Sequence, residues 1–443
     1  MFHALRSRLG ALIDDSSLRR LIKNASMLFG AESIVTLISI VQFPLITRLL
    51  GVENYGAWGI VSGWVGLVAQ ILSFRLWETV IKYLSQFRAA ADEDRALAVL
   101  KLCLLIDFTV VTVTFVVVSA SADMAARFVL QSRPDGADLI RLEAFNMFVG
   151  VGMGVWMAVL RVFDRFRNIS VYNVLSAIAI FVSWMTALAL GAGVAGLILA
   201  TALVKIGQTF TLAMLARRDL RRHFQKNWLA ADLGMLRGYR REIWVMLFAM
   251  NVDALRKIAT GNADMVILGW LANPAQAGTY RLAKQLASYF GRLTNPLYDT
   301  LYPEVATLYA AEGPARVRAM VWRLMRGVLI GLAASLVAGY ALSPWLVPLI
   351  FGSEYALAIP VFFVYVLTNV WVIGLWAPSV MVAAGRAKHL TVINTLASLV
   401  MILLLLTLVP RLGSMGAAIS AASFYLLWLA LVLPPAQKIL SAG

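Results

Sequence analysis

Apolar runs of roughly 20 residues, divided by short polar breaks, recur along the whole chain, and a helix of that length crosses about 30 Å of hydrocarbon. They fall near residues 25–47, 56–74, 97–119, 144–163, 170–190 and 194–215, and again near 243–270, 277–301, 324–342, 360–382, 389–409 and 416–434. The pattern predicts an all-α polytopic membrane protein of about twelve transmembrane helices. Span 7, over 243–270, is more polar than the others.

The runs also repeat. Shifting the chain on itself by 222 positions lays Leu49, Leu50, Gly51 and Tyr55, Gly56, Ala57, Trp58 on Leu271, Ala272, Asn273 and Ala277, Gly278, Thr279, Tyr280. A shift of 221 lays Arg165, Phe166, Arg167, Val171 and Asn173 on Arg386, Ala387, Lys388, Val392 and Asn394. Six spans per repeat is an even number, so the halves insert in one orientation, as parallel repeats about an axis along the membrane normal. The expected organisation is a tail over 1–24, an N-lobe over 25–216, a linker over 217–242, a C-lobe over 243–434 and a short tail over 435–443. The two pseudo-symmetric six-helix lobes should surround a central cavity.

Composition agrees: 61% of residues are apolar, only 14% are charged and the mean hydropathy is +0.80, against about 25% charged in a soluble domain. The net charge of +16 reads as topology, because cytoplasmic loops retain Lys and Arg. With both termini inside, the outer loops hold only Arg48, Arg127, Arg133, Arg141 and Arg411, while the linker alone carries eight basic residues between Arg217 and Arg241. The expected location is a bacterial inner membrane with both ends cytoplasmic, and nucleic-acid binding has little claim on the charge. Residues 1–24 contain Arg6, Arg8, Arg19, Arg20 and Lys23 without the apolar core and cleavage site of a signal peptide. Cys103 is the single cysteine, and His3, His223 and His389 lie far apart, so thiolate or histidine metal chemistry is not expected. Without a Walker loop no nucleotide is expected either; the chain calls for no cofactor and reads as no enzyme.

Charge inside the spans carries the functional signal, since each such group costs roughly 2.5–3.5 kcal/mol on insertion scales unless it faces a cavity or a partner. In span 7, Asp253, Lys257, Thr260 and Asp264 share one helical face beside Arg256; the bland reading is an Asp253–Lys257 pair four residues apart. In span 8, Arg281, Gln285, Ser288, Arg292, Asn295 and Asp299 form a polar, net basic face beside Lys284, and Arg292 lies about 22 Å along the helix from Ala277, too deep to snorkel. The 222 shift maps this face onto Gly59, Ser62, Gly63, Gly66 and Gln70 of span 2, which are small or polar but uncharged. Glu32, Asp107 and Lys205 are further intramembrane charges; buried pairing is the bland alternative for the last two. Gly150, Gly152 and Gly154 in span 4 read as close helix packing.

A cavity bearing Arg256, Lys257, Arg281, Lys284 and Arg292 calls for a multiply charged anion, because guanidinium matches phosphate oxygens as a fork. A polyprenyl-pyrophosphate sugar supplies one within the membrane. The segment from Asn24 through Thr47-Arg48-Leu49-Leu50-Gly51-Val52-Glu53-Asn54-Tyr55-Gly56 resembles the opening of the polysaccharide (oligosaccharide) flippase family, with its R-x-L-G-x-x-x-Y-G hairpin. The second-half hairpin and Tyr298–Glu304, with Leu301, Tyr302 and Pro303, resemble the matching pattern. The family lies within the multidrug and oligosaccharidyl-lipid exporter superfamily. The resemblance implies alternating access and export of undecaprenyl-pyrophosphate-linked oligosaccharide for surface polysaccharides such as lipopolysaccharide or exopolysaccharide. It also implies coupling to H+ or Na+, for which Glu32, Asp107, Asp253, Asp264 and Asp299 are candidates, with membrane lipid and polysaccharide-assembly proteins as partners. A multidrug exporter of the same superfamily is the alternative, followed by a membrane glycan polymerase or ligase.

Overall fold

The structure, a computed structural model, describes residues 16–131, 133–255, 259–289, 305, 308 and 313–441. Every regular element among them is helical. Helix α1 (Ser16–Leu72) is followed by α2 (Leu76–Ala89), α3 (Glu93–Ala120), α4 (Ala122–Val129), α5 (Gly136–Phe148), α6 (Met153–Val162), α7 (Phe166–Ala189) and α8 (Gly193–His223). Then come α9 (Arg240–Leu255), α10 (Asp264–Leu271), α11 (residues 274–289), α12 (Pro314–Phe351), α13 (Ala358–Tyr365), α14 (Ala377–Ala383), α15 (Ala387–Leu412) and α16 (Ser414–Ser441).

Nine helical stretches among the described residues are long and apolar enough to cross a membrane. The first, in α1, holds spans 1 and 2, which turn into one another at Gly51 alone; its φ of 75° is a conformation open to glycine and strained for most other residues. Spans 7 and 8 run into undescribed residues and fall outside that nine.

By internal contacts the chain divides into two compact units, one of Met1–Ile46, Ile71–Ala120 and Arg141–Val252, the other of Thr47–Gln70, Ser121–Ile140 and Asp253–Gly443. In the first unit α2 buries Leu76, Val80, Tyr83, Leu84 and Phe87, which recur at helical spacing, and leaves its polar face outside. That buried stripe joins a core with Leu97, Leu100 and Cys103 of α3, Trp156 and Val159 of α6, and Leu212 and Ala216 of α8. At the surface Lys82 donates to Glu242 at 2.9 Å; the bond holds the ammonium above its usual pKa and the carboxyl below its own.

The second unit is built around a close helix crossing. A methyl group on Gly56 would collide with the carbonyl of Pro274 and the amide of Gly278, and one on Gly278 with the carbonyl of Val52. The two glycines are equivalent under the 222 shift, as are Val52 and Pro274, so the sequence repeat appears here as a reciprocal contact. Around it, Arg133 donates to Asn54 Oδ1 at 2.7 Å and pairs with Asp135 at 3.0 Å. The guanidinium holds the Asp135 carboxyl below its ordinary pKa. The Tyr355 hydroxyl donates to the carbonyl of Thr47 at 3.1 Å.

The 221 repeat is equally visible in the backbone. Ahead of α7, Arg165 N donates to Leu160 O at 2.9 Å and Asp164 N to Arg161 O at 3.1 Å; ahead of α15, Arg386 N donates to Met381 O at 2.7 Å and Gly385 N to Val382 O at 3.0 Å. Both are Schellman closures with the pivot residue left-handed, φ 57° at Asp164 and 74° at Gly385.

Because the groups facing Gly56 and Gly278 are backbone, which cannot swing aside, Gly56→Ala or Gly278→Ala should destabilise the protein by at least about 1–3 kcal/mol. Gly207, with open space around it, is the control: Gly207→Ala should hold or gain up to about 1 kcal/mol of helix propensity. Thermal unfolding of the purified protein in detergent reads both, and a Gly56→Ala protein melting like wild type contradicts the crossing. Acidification supplies a second check. A depressed carboxyl pKa contributes stability above its unfolded value of about 3.9, and Asp135 loses that contribution as pH falls through its lower folded value. Protection factors of the amides across residues 133–136, that is exchange rates divided by the intrinsic rate at each pH, should therefore fall only in that acid range and stay flat between pH 5 and 8.

Candidate functional site

The second unit contains a cavity of about 600 Å³, within the size range of small-molecule sites. Span 2 contributes Gly59, Ser62 and Gly63, span 7 contributes Gly261, Asn262 and Met265, and α11 contributes Arg281, Lys284, Gln285 and Ser288. Tyr365, Thr368, Asn369, Trp371 and Tyr425 complete the wall. The room for long side chains on α11 comes from the small ones facing them. A Cβ on Gly59 would lie 2.8 Å from Arg281 Cδ, and one on Gly63 would lie 2.9 Å from Met265 Cβ. Gly59 and Arg281 are again repeat equivalents, so glycine in one half permits arginine in the other.

Arg281 rests on two aromatic faces, its guanidinium carbon 4.2 Å from the Trp58 ring centre and 4.5 Å from that of Tyr55. Its Nη1 donates to the carbonyl of Tyr55 at 3.0 Å. The rings neutralise none of the charge; they orient the planar fork and supply cation–π attraction. Among the described residues Arg281 has no carboxylate partner.

Lys284 has one. Ahead of α10, Ala259–Ala263 form a π-turn, a geometry often found at functional sites. The turn leaves the carbonyl of Gly261 to accept from Lys284 Nζ at 3.0 Å, and the same ammonium donates to Asp264 Oδ2 at 2.5 Å. Asp264 is 1% exposed and Lys284 26%. The carboxylate is fully engaged, for Oδ2 also accepts from the Tyr280 hydroxyl at 2.6 Å and Oδ1 from the amide of Met265 at 2.8 Å. Tyr365 packs edge-on against Tyr280, their ring centres 5.4 Å apart. A buried pair with this many supporting bonds holds together; removing one partner costs about 3–5 kcal/mol.

Of the expected cationic residues, the structure thus brings Arg281 and Lys284 together; Arg256, Lys257 and Arg292 lie outside the described residues, as does the ion-coupling candidate Asp299. So does the Lys257 half of the expected Asp253–Lys257 pair, Asp253 itself belonging to α9. Glu32 sits on α1 and is exposed. Tyr55, Trp58, Tyr280, Tyr365 and Asn369 were not recognisable as site residues from the spacing of charges. The signal available for two of them is the 222 shift, which sets Trp58 on Tyr280 ahead of the polar face.

Asp107 and Lys205 have a different use, in the first unit. Span 4 breaks between α5 and α6, with Gly152 at φ 80°, and a break in mid-membrane exposes helix-end amides and carbonyls. Asp107 Oδ2 accepts from the freed amide of Gly152 at 2.7 Å, Lys205 donates to the carbonyl of Asn146 at 3.0 Å, and the Thr209 hydroxyl donates to that of Val149 at 2.9 Å. Anion meets the start of α6 and cation the end of α5, as the helix dipoles favour. Gly152 is accordingly a conformational requirement, a Cβ on Gly150 would lie 3.2 Å from Lys205 Cδ, and Gly154 has open space around it, so close packing accounts for Gly150 and not for Gly154.

These helices and this cavity can be set beside known proteins. A family model described as "Polysaccharide biosynthesis protein" matches residues 21–309, well over half the chain and a segment that includes Asp107, Asp264, Arg281 and Lys284. The chain belongs to this family. No curated protein matches the sequence, so the polysaccharide biosynthesis family is placed further by solved folds. An inward-facing multidrug resistance MATE family transporter of the MOP superfamily aligns over 92% of this chain and 95% of its own, at 14% identity and TM-score 0.75. The lipid II flippase MurJ, in an inward closed conformation, aligns over 94% and 87% at 11% identity and TM-score 0.72. A MOP superfamily transporter from Pyrococcus furiosus aligns over 96% of both chains at 13% identity and TM-score 0.64. This member of the polysaccharide biosynthesis family is therefore a multi-pass helical membrane protein with the MOP transporter fold.

Replacing Asp107 separates its bonding role from its charge. Asp107→Leu leaves the Gly152 amide unmet and should lower stability by about 1–3 kcal/mol, whereas Asp107→Asn retains an acceptor and should melt near wild type. A stable Asp107→Asn protein with lost transport would assign the carboxylate's charge to coupling instead.

Proposed function

We propose that the protein flips an undecaprenyl-pyrophosphate-linked oligosaccharide from the cytoplasmic to the periplasmic face of a bacterial inner membrane, for surface polysaccharide biosynthesis. The observation that carries this reading is Arg281: an intramembrane guanidinium held over the Tyr55 and Trp58 rings at the wall of a cavity of about 600 Å³, with Lys284 three residues on. Guanidinium and ammonium suit a diphosphate, Trp371 and Tyr425 offer aromatic surface to the first sugar, and family membership supports a glycan cargo. The lipid tail would remain in hydrocarbon while the head group crosses.

In this reading Arg256, Lys257 and Arg292 extend the cationic wall, the lobes run over 25–216 and 243–434, and both termini are cytoplasmic. An ion gradient, of H+ or Na+, drives the cycle through one of the intramembrane carboxylates Glu32, Asp107, Asp253, Asp264 and Asp299, and polysaccharide-assembly proteins receive the product. The multidrug alternative needs a carboxylate available to a cationic drug. Asp264 is poorly suited, since its oxygens are already taken by Lys284, Tyr280 and the Met265 amide.

In a deletion strain the cytoplasmic pool of lipid-linked oligosaccharide should rise and fall again on complementation with wild type. Arg281→Ala and Arg292→Ala should leave the pool high by tenfold or more, while Arg→Lys at either position clears part of it. A pool unaffected by the deletion overturns the flippase reading.

A further inference from the structure

In the first unit, the arginines around α2 and α6 differ in what their donors meet. Arg88 donates to the carbonyl of Val162 at 2.7 Å and Arg165 to Asp219 Oδ1 at 2.9 Å. Arg161, in the last turn of α6, is exposed, and its guanidinium has no carboxylate or carbonyl partner among the described residues; its central carbon lies 5.4 Å from the centre of the Trp77 ring. Arg75, just ahead of α2, lies over the same ring at 5.7 Å and pairs with Glu78. Two cations thus share one indole, and Glu78 answers Arg75 while Arg161 is left unanswered.

Snorkelling does not account for this arrangement. A snorkelling arginine extends its head away from apolar surface into water, whereas here both heads turn onto a ring that is itself 37% exposed. Stacking fixes the plane of the Arg161 fork and leaves its N–H edge open to an acceptor. In the second unit Arg281 is held over Trp58 in the same way, so the chain builds this device twice, once near each end of span 2. An exposed indole belongs at the boundary of water and hydrocarbon, which selects a phosphate attached to a lipid over a soluble one.

We propose that Arg75, Trp77 and Arg161 form a second anion site, which takes the phosphate oxyanion of a membrane lipid. With both termini cytoplasmic, spans 2 and 4 both end at the inner face, where the lipid-linked substrate begins its passage; that placement rests on the flippase reading, while the site itself does not. The phosphate has two sources, the diphosphate of the lipid carrier and the head group of a resident anionic phospholipid. Both present an oxyanion beside hydrocarbon, and the same fork meets either.

The test titrates the purified full-length protein, in detergent, with farnesyl diphosphate and separately with dihexanoyl phosphatidylglycerol, followed by calorimetry. Farnesyl diphosphate should bind at the cavity and again at this site. Arg161→Ala should remove that second equivalent and weaken dihexanoyl phosphatidylglycerol by about tenfold or more. Arg161→Lys should recover part of the loss, because an ammonium restores the charge and not the stacked fork. Trp77→Leu, which keeps both arginines, should weaken binding several-fold, and thermal melting of each variant separates lost binding from lost fold. A farnesyl diphosphate equivalent that depends on Arg161 assigns the site to the carrier. Phosphatidylglycerol binding that depends on Arg161, with all farnesyl diphosphate binding lost in Arg281→Ala, assigns it to resident phospholipid. If a folded Arg161→Ala protein changes neither titration, the site is overturned. Absence of the equivalent that depends on Arg281 overturns the cavity reading alone and leaves this site standing.

Discussion

Hydrocarbon offers no hydrogen bonds, and most of what is irregular in this protein follows from that. A helix that breaks within the membrane must find partners for the backbone groups it releases. At the span 4 break the partners are the carboxylate of Asp107, the ammonium of Lys205 and the hydroxyl of Thr209, each placed at the helix end whose partial charge it opposes. At the π-turn in span 7 the carbonyl of Gly261 is met by Lys284. Intramembrane charge and intramembrane irregularity are thus solutions to one another, and a charged residue in a span is not by itself a sign of transport.

What distinguishes the second unit is that its charge exceeds what the backbone needs. Lys284 has two acceptors within the protein, while Arg281 has one carbonyl and two aromatic faces. Aromatic rings stabilise a guanidinium without consuming its forward-facing donors, which is the arrangement expected of a group kept for a ligand. The pocket sits in a fold shared with MOP superfamily transporters, and the proposed anionic cargo rests on the chemistry of its wall.

The fold was legible because span length and the two repeat shifts depend only on local pattern. Gly56 with Gly278, and Leu160–Arg165 with Met381–Arg386, were aligned by sequence and occupy equivalent backbone environments. The site was legible only in part. Charges at helical spacing flagged Asp264, Arg281 and Lys284, but their pairing runs between consecutive spans, and spacing within one span cannot reveal it. Asp107 and Lys205 drew notice for the right reason, their burial, while their use depended on a break in span 4 that its glycines suggested only as packing. The aromatic platform under Arg281 comes from span 2, whose residues look like ordinary membrane-core residues until the crossing at Gly56 and Gly278 brings them to α11.

That crossing also limits how alike the two halves can be. Gly59 and Arg281 occupy the same place in the two repeats and meet each other. Two identical halves with glycine there would meet without a charge, and two with arginine would drive guanidinium into guanidinium in a space that holds only one. A basic pocket on this axis therefore requires the halves to differ at this position, so the repeat's symmetry is broken at the very place where its two copies touch.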